Sequence, residues 1–464
     1  MSYRKHRGII WPALLAALLV SGPPSASGQE ATRPPEKVAR LIWQDREKKT
    51  LCWGELIQAG PVLMFQQGGP VPGFPALNPE RQELVQMERV EEVLLVGVRD
   101  DDAGKFQSGW VAVDLGVDEM PHGDHSDFDY RNPPGLLASC LDASQGNPAH
   151  LYVYDDQFFL ANDSLSGFTR FLPGALRGPA AARKGTFYRG GGAHITLAAV
   201  DQKVAYSTWI PGGGPTKGQI DVVDLSRPGS ESIAYSFHLP SGALHGATSN
   251  SGKVFFAPAD GVDWVDADLQ LEKTPETVQP RHLSLGKDSE SDRPLRTGAF
   301  TCHRNWVIFT TGRQDSSALC LVDAAVAEPR VVQLPIPTVD GLSLVPPEVT
   351  VAANGKRYAF VFQNRKQGEI QELLTVVDLD PNGDRDFSDA VIVKTLKVGN
   401  SKVDGHYGHH SISFDQDGRF GVLTNPGDGE LWILSLDDLT VIEKHQVGGM
   451  PTKILVIGGE ESKH

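Results

Sequence analysis

The chain reads as an all-β protein, a seven-bladed β-propeller, and three features of its sequence lead there. An apolar run closing on an acidic residue recurs at Trp110-Val111-Ala112-Val113-Asp114, Ile220-Asp221-Val222-Val223-Asp224, Cys320-Leu321-Val322-Asp323 and Leu374-Thr375-Val376-Val377-Asp378, with Val262-Asp263-Trp264-Val265-Asp266 a looser copy. Tight-turn pairs stand between β-branched and aromatic runs at Asn354-Gly355, Asp417-Gly418 and Ser251-Gly252; such pairs are strong short-range hairpin signals. First strands begin near His150, His194, His245, Ala299, Glu348, His410 and Thr452, roughly 40 to 60 residues apart, which is the period of propeller blades.

In chain order, Arg4, Lys5 and Arg7 precede the apolar run Ile9 to Val20 and the small residues Ser21 to Gly28. This is the pattern of a secretory signal peptide, expected over residues 1–28. Its apolar run is too short to span a bilayer, so the mature chain is expected to be periplasmic or secreted, with no membrane insertion after cleavage. Residues 29–87 are expected to form an N-terminal extension that the strand pattern does not place, and residues 88–464 the propeller. Thr452 to Ile457 is a lone strand at the far end. Its partners are expected to be Val93 to Val98 and Trp110 to Leu115, so that both chain ends share one blade and no sheet edge is left open. Eight blades is the alternative, if residues 38 to 65 form their own sheet.

Composition narrows the function. With 43 basic and 58 acidic residues the net charge is −15, which argues against nucleic acid or an anionic membrane as the main partner. A 40% hydrophobic content excludes a disordered chain. Four cysteines form no CxxC, so there is no cysteine-based zinc or redox motif. Cys302 and Cys320 fall on the first and third strands of one expected sheet, about 9.6 Å apart, too far for a disulfide; Cys52 with Cys140 stays open. Gly-x-Ser-x-Gly, His-Glu-x-x-His and dinucleotide fingerprints do not occur, and catalysis is unsupported.

The histidines carry the chemistry. In a four-stranded blade, the connection leading into the innermost strand and the second-to-third loop lie on one face, with the tight turns on the other. The connections leading in read Pro148-Ala149-His150, Gly192-Ala193-His194, Ala243-Leu244-His245 and Gly408-His409-His410. Four blades thus bring imidazoles to one rim of the central channel, where they could hold a metal or an anion. A second cluster is Glu119-Met120-Pro121-His122-Gly123-Asp124-His125-Ser126-Asp127. Zinc takes imidazole and carboxylate ligands, and glycine lets a loop fold around the ion. This loop follows a third strand and starts on the face opposite the rim histidines. Its length would let it cross the sheet, so one joint site and two separate sites are both open.

The tetrapeptide His122-Gly123-Asp124-His125, then Pro148-Ala149-His150, Leu244-His245-Gly246 and Gly408-His409-His410, resemble the AztD-type periplasmic zinc metallochaperones over roughly residues 110 to 455. The segment from Leu423-Thr424-Asn425-Pro426-Gly427 to Val447-Gly448-Gly449-Met450-Pro451-Thr452 is similar to the YVTN repeat of exported bacterial propellers. The resemblance implies a zinc-binding β-propeller that passes zinc to the solute-binding protein of a zinc ABC transporter. It also implies His122, Asp124, His125 and one of His409 or His410 as metal ligands. Zinc is chosen on this resemblance and not on ligand type, since copper and nickel bind imidazole too. Alternatives are an exported propeller enzyme of lactonase or quinoprotein type, and an interaction scaffold without metal.

Overall fold

A computed structural model describes residues 35–459, apart from residues 124, 367–368 and 402–408 and the side chain of His125. The expected signal peptide lies outside the described residues. Eight antiparallel sheets follow one another as blades around a central channel. Blade 1 combines Glu36–Asp45, Thr50–Ala59 and Val62–Pro70 with the C-terminal Pro451–Ile457. Blades 2 to 8 begin at Gln82, Pro148, Leu197, Ala247, Thr301, Leu342 and Ile412 and run outward in chain order.

Three expectations are corrected. The ring has eight blades, the stated alternative, and not seven. It begins at Glu36, so most of residues 29–87 belongs to the propeller. The closing strand Pro451–Ile457 pairs with Glu36–Asp45, Arg40 standing opposite Ile457 and Ile42 opposite Leu455. Val93–Asp100 and Ser108–Asp114 instead pair with Gln82–Val90 and Gly135–Asp142 in blade 2. The reason is physical. Glu36–Asp45 is buried along most of its length although it carries Arg40, Gln44 and Asp45, and these polar residues interrupt the apolar run that marks a strand. Buried Arg40 donates to Glu55 Oε1 at 2.6 Å and to the carbonyls of Leu115 and Asn132, fastening blade 1 to blade 2 through groups that hydropathy alone reads as surface.

The recurring runs do form strands. Ser108–Asp114, Gln219–Asp224, Val262–Asp266, Ala318–Asp323 and Leu373–Asp378 are each the third strand of a blade. Second strands such as Gln157–Asn162 are buried on both faces, because neighbouring blades pack against each side; this explains continuous apolar runs where alternation would mark a half-exposed sheet. The outermost Val391–Lys397 is largely exposed. The core therefore lies between blades: Phe159, Phe168 and Tyr188 of blade 3 pack with Leu197, Ala205 and Val223 of blade 4. Tight turns fall where Asn-Gly and Asp-Gly predict them, with Gly355 at φ 84° and Gly418 at φ 66°, a left-handed conformation that glycine adopts without a steric penalty.

Cys302 and Cys320 occupy the first and third strands of blade 6 as expected, and all four cysteines are free, so Cys52 and Cys140 are not joined. Among the described residues no helix is long and apolar enough to cross a membrane.

Candidate metal centre

Three of the rim histidines converge. His150, His194 and His245 each present a ring nitrogen, and these atoms all lie within 4.8 Å of one another. The shortest approach is His150 Nε2 to His194 Nε2, 2.9 Å. Two imidazoles on a tetrahedral zinc, each at about 2.05 Å, stand roughly 3.3 Å apart, so small shifts would bring the nitrogens around one ion. His150 is buried, while His194 and His245 are partly open.

Local backbone geometry places each ring. His150 lies in Pro148–Tyr154, where the pairing register slips between Pro148 and Leu151; an irregularity of this kind re-aims a side chain. His194 directly follows Ala193 at φ 67°, and His245 stands two residues after Ala243 at φ 57°. Alanine in the left-handed region is strained by about 1 kcal/mol or more, a cost that tends to collect at functional sites.

Hydrogen bonds then set the ring orientations. His194 Nδ1 donates to Asp163 Oδ2 at 3.1 Å, while Asp163 Oδ1 accepts from the Ile195 N–H at 3.0 Å. His245 Nδ1 faces Gly298 O at 3.3 Å. With Nδ1 donating, each neutral ring keeps its Nε2 lone pair for a ligand, the arrangement that a carboxylate or carbonyl partner gives to metal-binding imidazoles. Burial, aided by the nearby charge of Arg296, lowers the His245 pKa from its ordinary value and so favours the neutral, ligating form.

His150 and His245 line the central channel, a cavity of about 1170 Å³. His409 and His410 line it as well, but His410 is turned toward other groups. Its Nδ1 donates to Thr424 O at 2.6 Å, its Nε2 lies 3.5 Å from Glu372 Oε2, and its ring stacks on Phe362. Burial would raise the Glu372 pKa, yet hydrogen bonds from His410 and from the N–H groups of Arg365 and Ser401 prevail and bring it to about 2. Further along the channel Lys453 pairs with Glu348 at 3.3 Å, and burial pushes the Glu88 carboxyl up to about 7.

The other cluster stands apart. The segment after the third strand of blade 2 folds into its own hairpin, Asp118–His122 with His125–Asp129. Gln416, in the tight turn of blade 8, donates to Glu119 Oε1 at 2.8 Å, so the hairpin docks on the turn face and does not cross to the histidine rim. His122 is exposed, with its Nε2 3.1 Å from Asp127 Oδ2. Asp124 and the His125 side chain lie outside the described residues. The hairpin and the rim triad are two separate places.

Asp163 was not among the residues singled out from the sequence. It follows a second strand, so the face rule that located the histidines also puts it on their rim, but one acidic residue in an acidic chain offers no signal by itself. Glu372 escaped notice for the same reason.

No protein-family model matches the chain, and no curated protein matches it in sequence. Among solved structures, it is similar to apo AztD from Citrobacter koseri, with 16% identity, a TM-score of 0.57, and coverage of 92% of this chain and 100% of that one. A second structure of Citrobacter koseri AztD gives 17% identity, a TM-score of 0.59 and the same coverage. At these identities the likeness is one of fold: the chain is an AztD-like β-propeller.

Proposed function

We propose that this chain is an exported zinc-binding propeller, held in the periplasm or secreted, that carries zinc to the solute-binding protein of a zinc ABC transporter. The observation that carries the reading is the convergence of His150, His194 and His245 at one rim of the channel. Three neutral nitrogens leave a fourth tetrahedral position for an exchanging ligand, which suits a cargo site better than a closed structural one. Zinc, in preference to copper or nickel, rests on the resemblance of the histidine-bearing segments to the AztD-type metallochaperones and on the shared fold. Asp163 orients the site from behind. On this reading His409 overlooks the same channel, and the hairpin bearing His122, Asp124 and His125 is a separate candidate for metal capture.

Metal analysis and calorimetric titration test it. The parent should hold about one zinc per chain at the rim site. His150→Ala combined with His194→Ala and His245→Ala should abolish that binding, while His122→Ala with His125→Ala should leave it. Retention of the rim zinc by the triple variant would move the site elsewhere, and a parent that binds no zinc would end the carrier reading.

A further inference from the structure

Past His245 the mouth of the channel changes character. Arg296, Arg313 and Lys366 line the same cavity as His150 and His245. Their placement follows a continuous hydrogen-bonded path. Arg296 Nη2 donates to Ala243 O at 2.9 Å, two residues before His245, and His245 Nδ1 faces Gly298 O, two residues after Arg296. The Arg296 carbonyl accepts from Thr311 Oγ1 at 2.8 Å, two residues before Arg313. The next residue, Gln314, receives the N–H of Thr338 on its carbonyl, and Gly341 O accepts from the Lys366 N–H. The connections of blades 6 and 7 thus carry three cations around the half of the mouth that the imidazoles of blades 3 to 5 leave open.

None of the three forms an ion pair among the described residues. Arg313 lies within the field of Asp288 but makes no bridge to it, and burial alone acts on Arg296, with no carboxylate to offset it. Lys453, in the same channel, is by contrast paired with Glu348. The two carboxylates that line the cavity, Glu88 and Glu348, both lie beside Lys453, so Arg296, Arg313 and Lys366 leave their side of the mouth a positive, concave surface that concentrates anions.

We propose that this half of the mouth binds a small organic anion with two or more carboxylates, seated so that one carboxylate reaches the fourth position of a metal on the histidine triad. The first part stands on the cations alone, and the second rests on the metal-binding reading above. Guanidinium groups present paired donors that match carboxylates, and charges spread over two blades call for an anion whose own charges are separated. A divalent ion placed beside Arg296 would be repelled by it; a shared carboxylate answers both charges and is itself an accepted zinc ligand.

The test is calorimetric titration of the protein with tricarballylate, first free of metal and then loaded with zinc. Without metal, the parent should bind the tricarboxylate and not its uncharged triamide. Arg296→Gln with Arg313→Gln and Lys366→Gln should weaken binding at least tenfold while the melting curve stays that of the parent. Single Arg296→Gln and Arg313→Gln variants, each weakened to a lesser degree, guard against a fold defect in the triple. The His150, His194 and His245 alanine variant should still bind the anion without metal. In the parent, zinc should tighten anion binding at least tenfold, and in that variant it should not. Equal binding by parent and triple glutamine variant, equal binding of the triamide, or no binding by the parent overturns the anion site. Anion binding in a parent that takes up no zinc overturns the metal reading and its bridging carboxylate while the anion site stands; zinc uptake with no effect on the anion overturns the bridge alone.

Discussion

Asp163 holds His194 by Nδ1 and the backbone beside it through the Ile195 N–H, and that double grip defines where the second imidazole of the triad points. Partners of this kind typically contribute about 10- to 100-fold to metal affinity. Asp163→Asn should therefore weaken zinc binding within that range in a competition titration against a chelating dye, with stoichiometry preserved; an unchanged affinity would remove Asp163 from the site. Glu372 works differently. It joins blades 7 and 8 by accepting from Arg365 N–H, Ser401 N–H and Ser401 Oγ and by its approach to His410. Its pKa is depressed to about 2 from an ordinary 4.5. The sign follows: the stabilisation is complete above about pH 4.5 and is lost as pH falls toward 2, on the order of 3 kcal/mol in all. Glu372→Gln should lower stability at neutral pH and flatten its decline over that acid range, as read by denaturant unfolding at a series of pH values.

At the scale of elements, the ring depends on one strand. Pro451–Ile457 is the innermost strand of blade 1 and, among the described residues, pairs there only with Glu36–Asp45. Val456 and Ile454 join the cluster of Leu41, Trp43, Val422 and Ile433 that packs blade 1 against blade 8. Removing the residues after Met450 would expose that cluster and leave an open sheet edge at the channel. The truncated chain should lose its cooperative thermal transition, and an unchanged transition would contradict closure by this strand. Seven of the eight innermost strands were legible, because each falls where the period of roughly 40 to 60 residues starts a new unit. The eighth, Gln82–Val90, was not: glutamines and glutamates alternate with its apolar residues, and a register slip between Leu84 and Met87 breaks the period of two. The strands of residues 36–70 were hidden by buried polar groups, above all Arg40, whose partners Leu115, Asn132 and Glu55 are known only once the fold is.

The whole molecule sorts its chemistry by face. Histidines on the connections into blades 3, 4 and 5 were readable as belonging to one rim because strand order alone assigns the face. Which of them would meet was not readable, since that depends on eight blades setting the channel's width and on which rings find other partners. His410 is taken up by Thr424 and Glu372, whereas His150, His194 and His245 point at one another. The hairpin with His122 lies on the turn face beside blade 8, so the loop that looked most like a metal site in sequence is the one the ring holds away from the channel. Zinc K-edge X-ray absorption of the parent loaded with one equivalent of zinc tests the central claim most directly. The account predicts three imidazole nitrogens at about 2.0–2.1 Å with one further light ligand and no sulfur; a shell with one imidazole or none, or with sulfur, would contradict it.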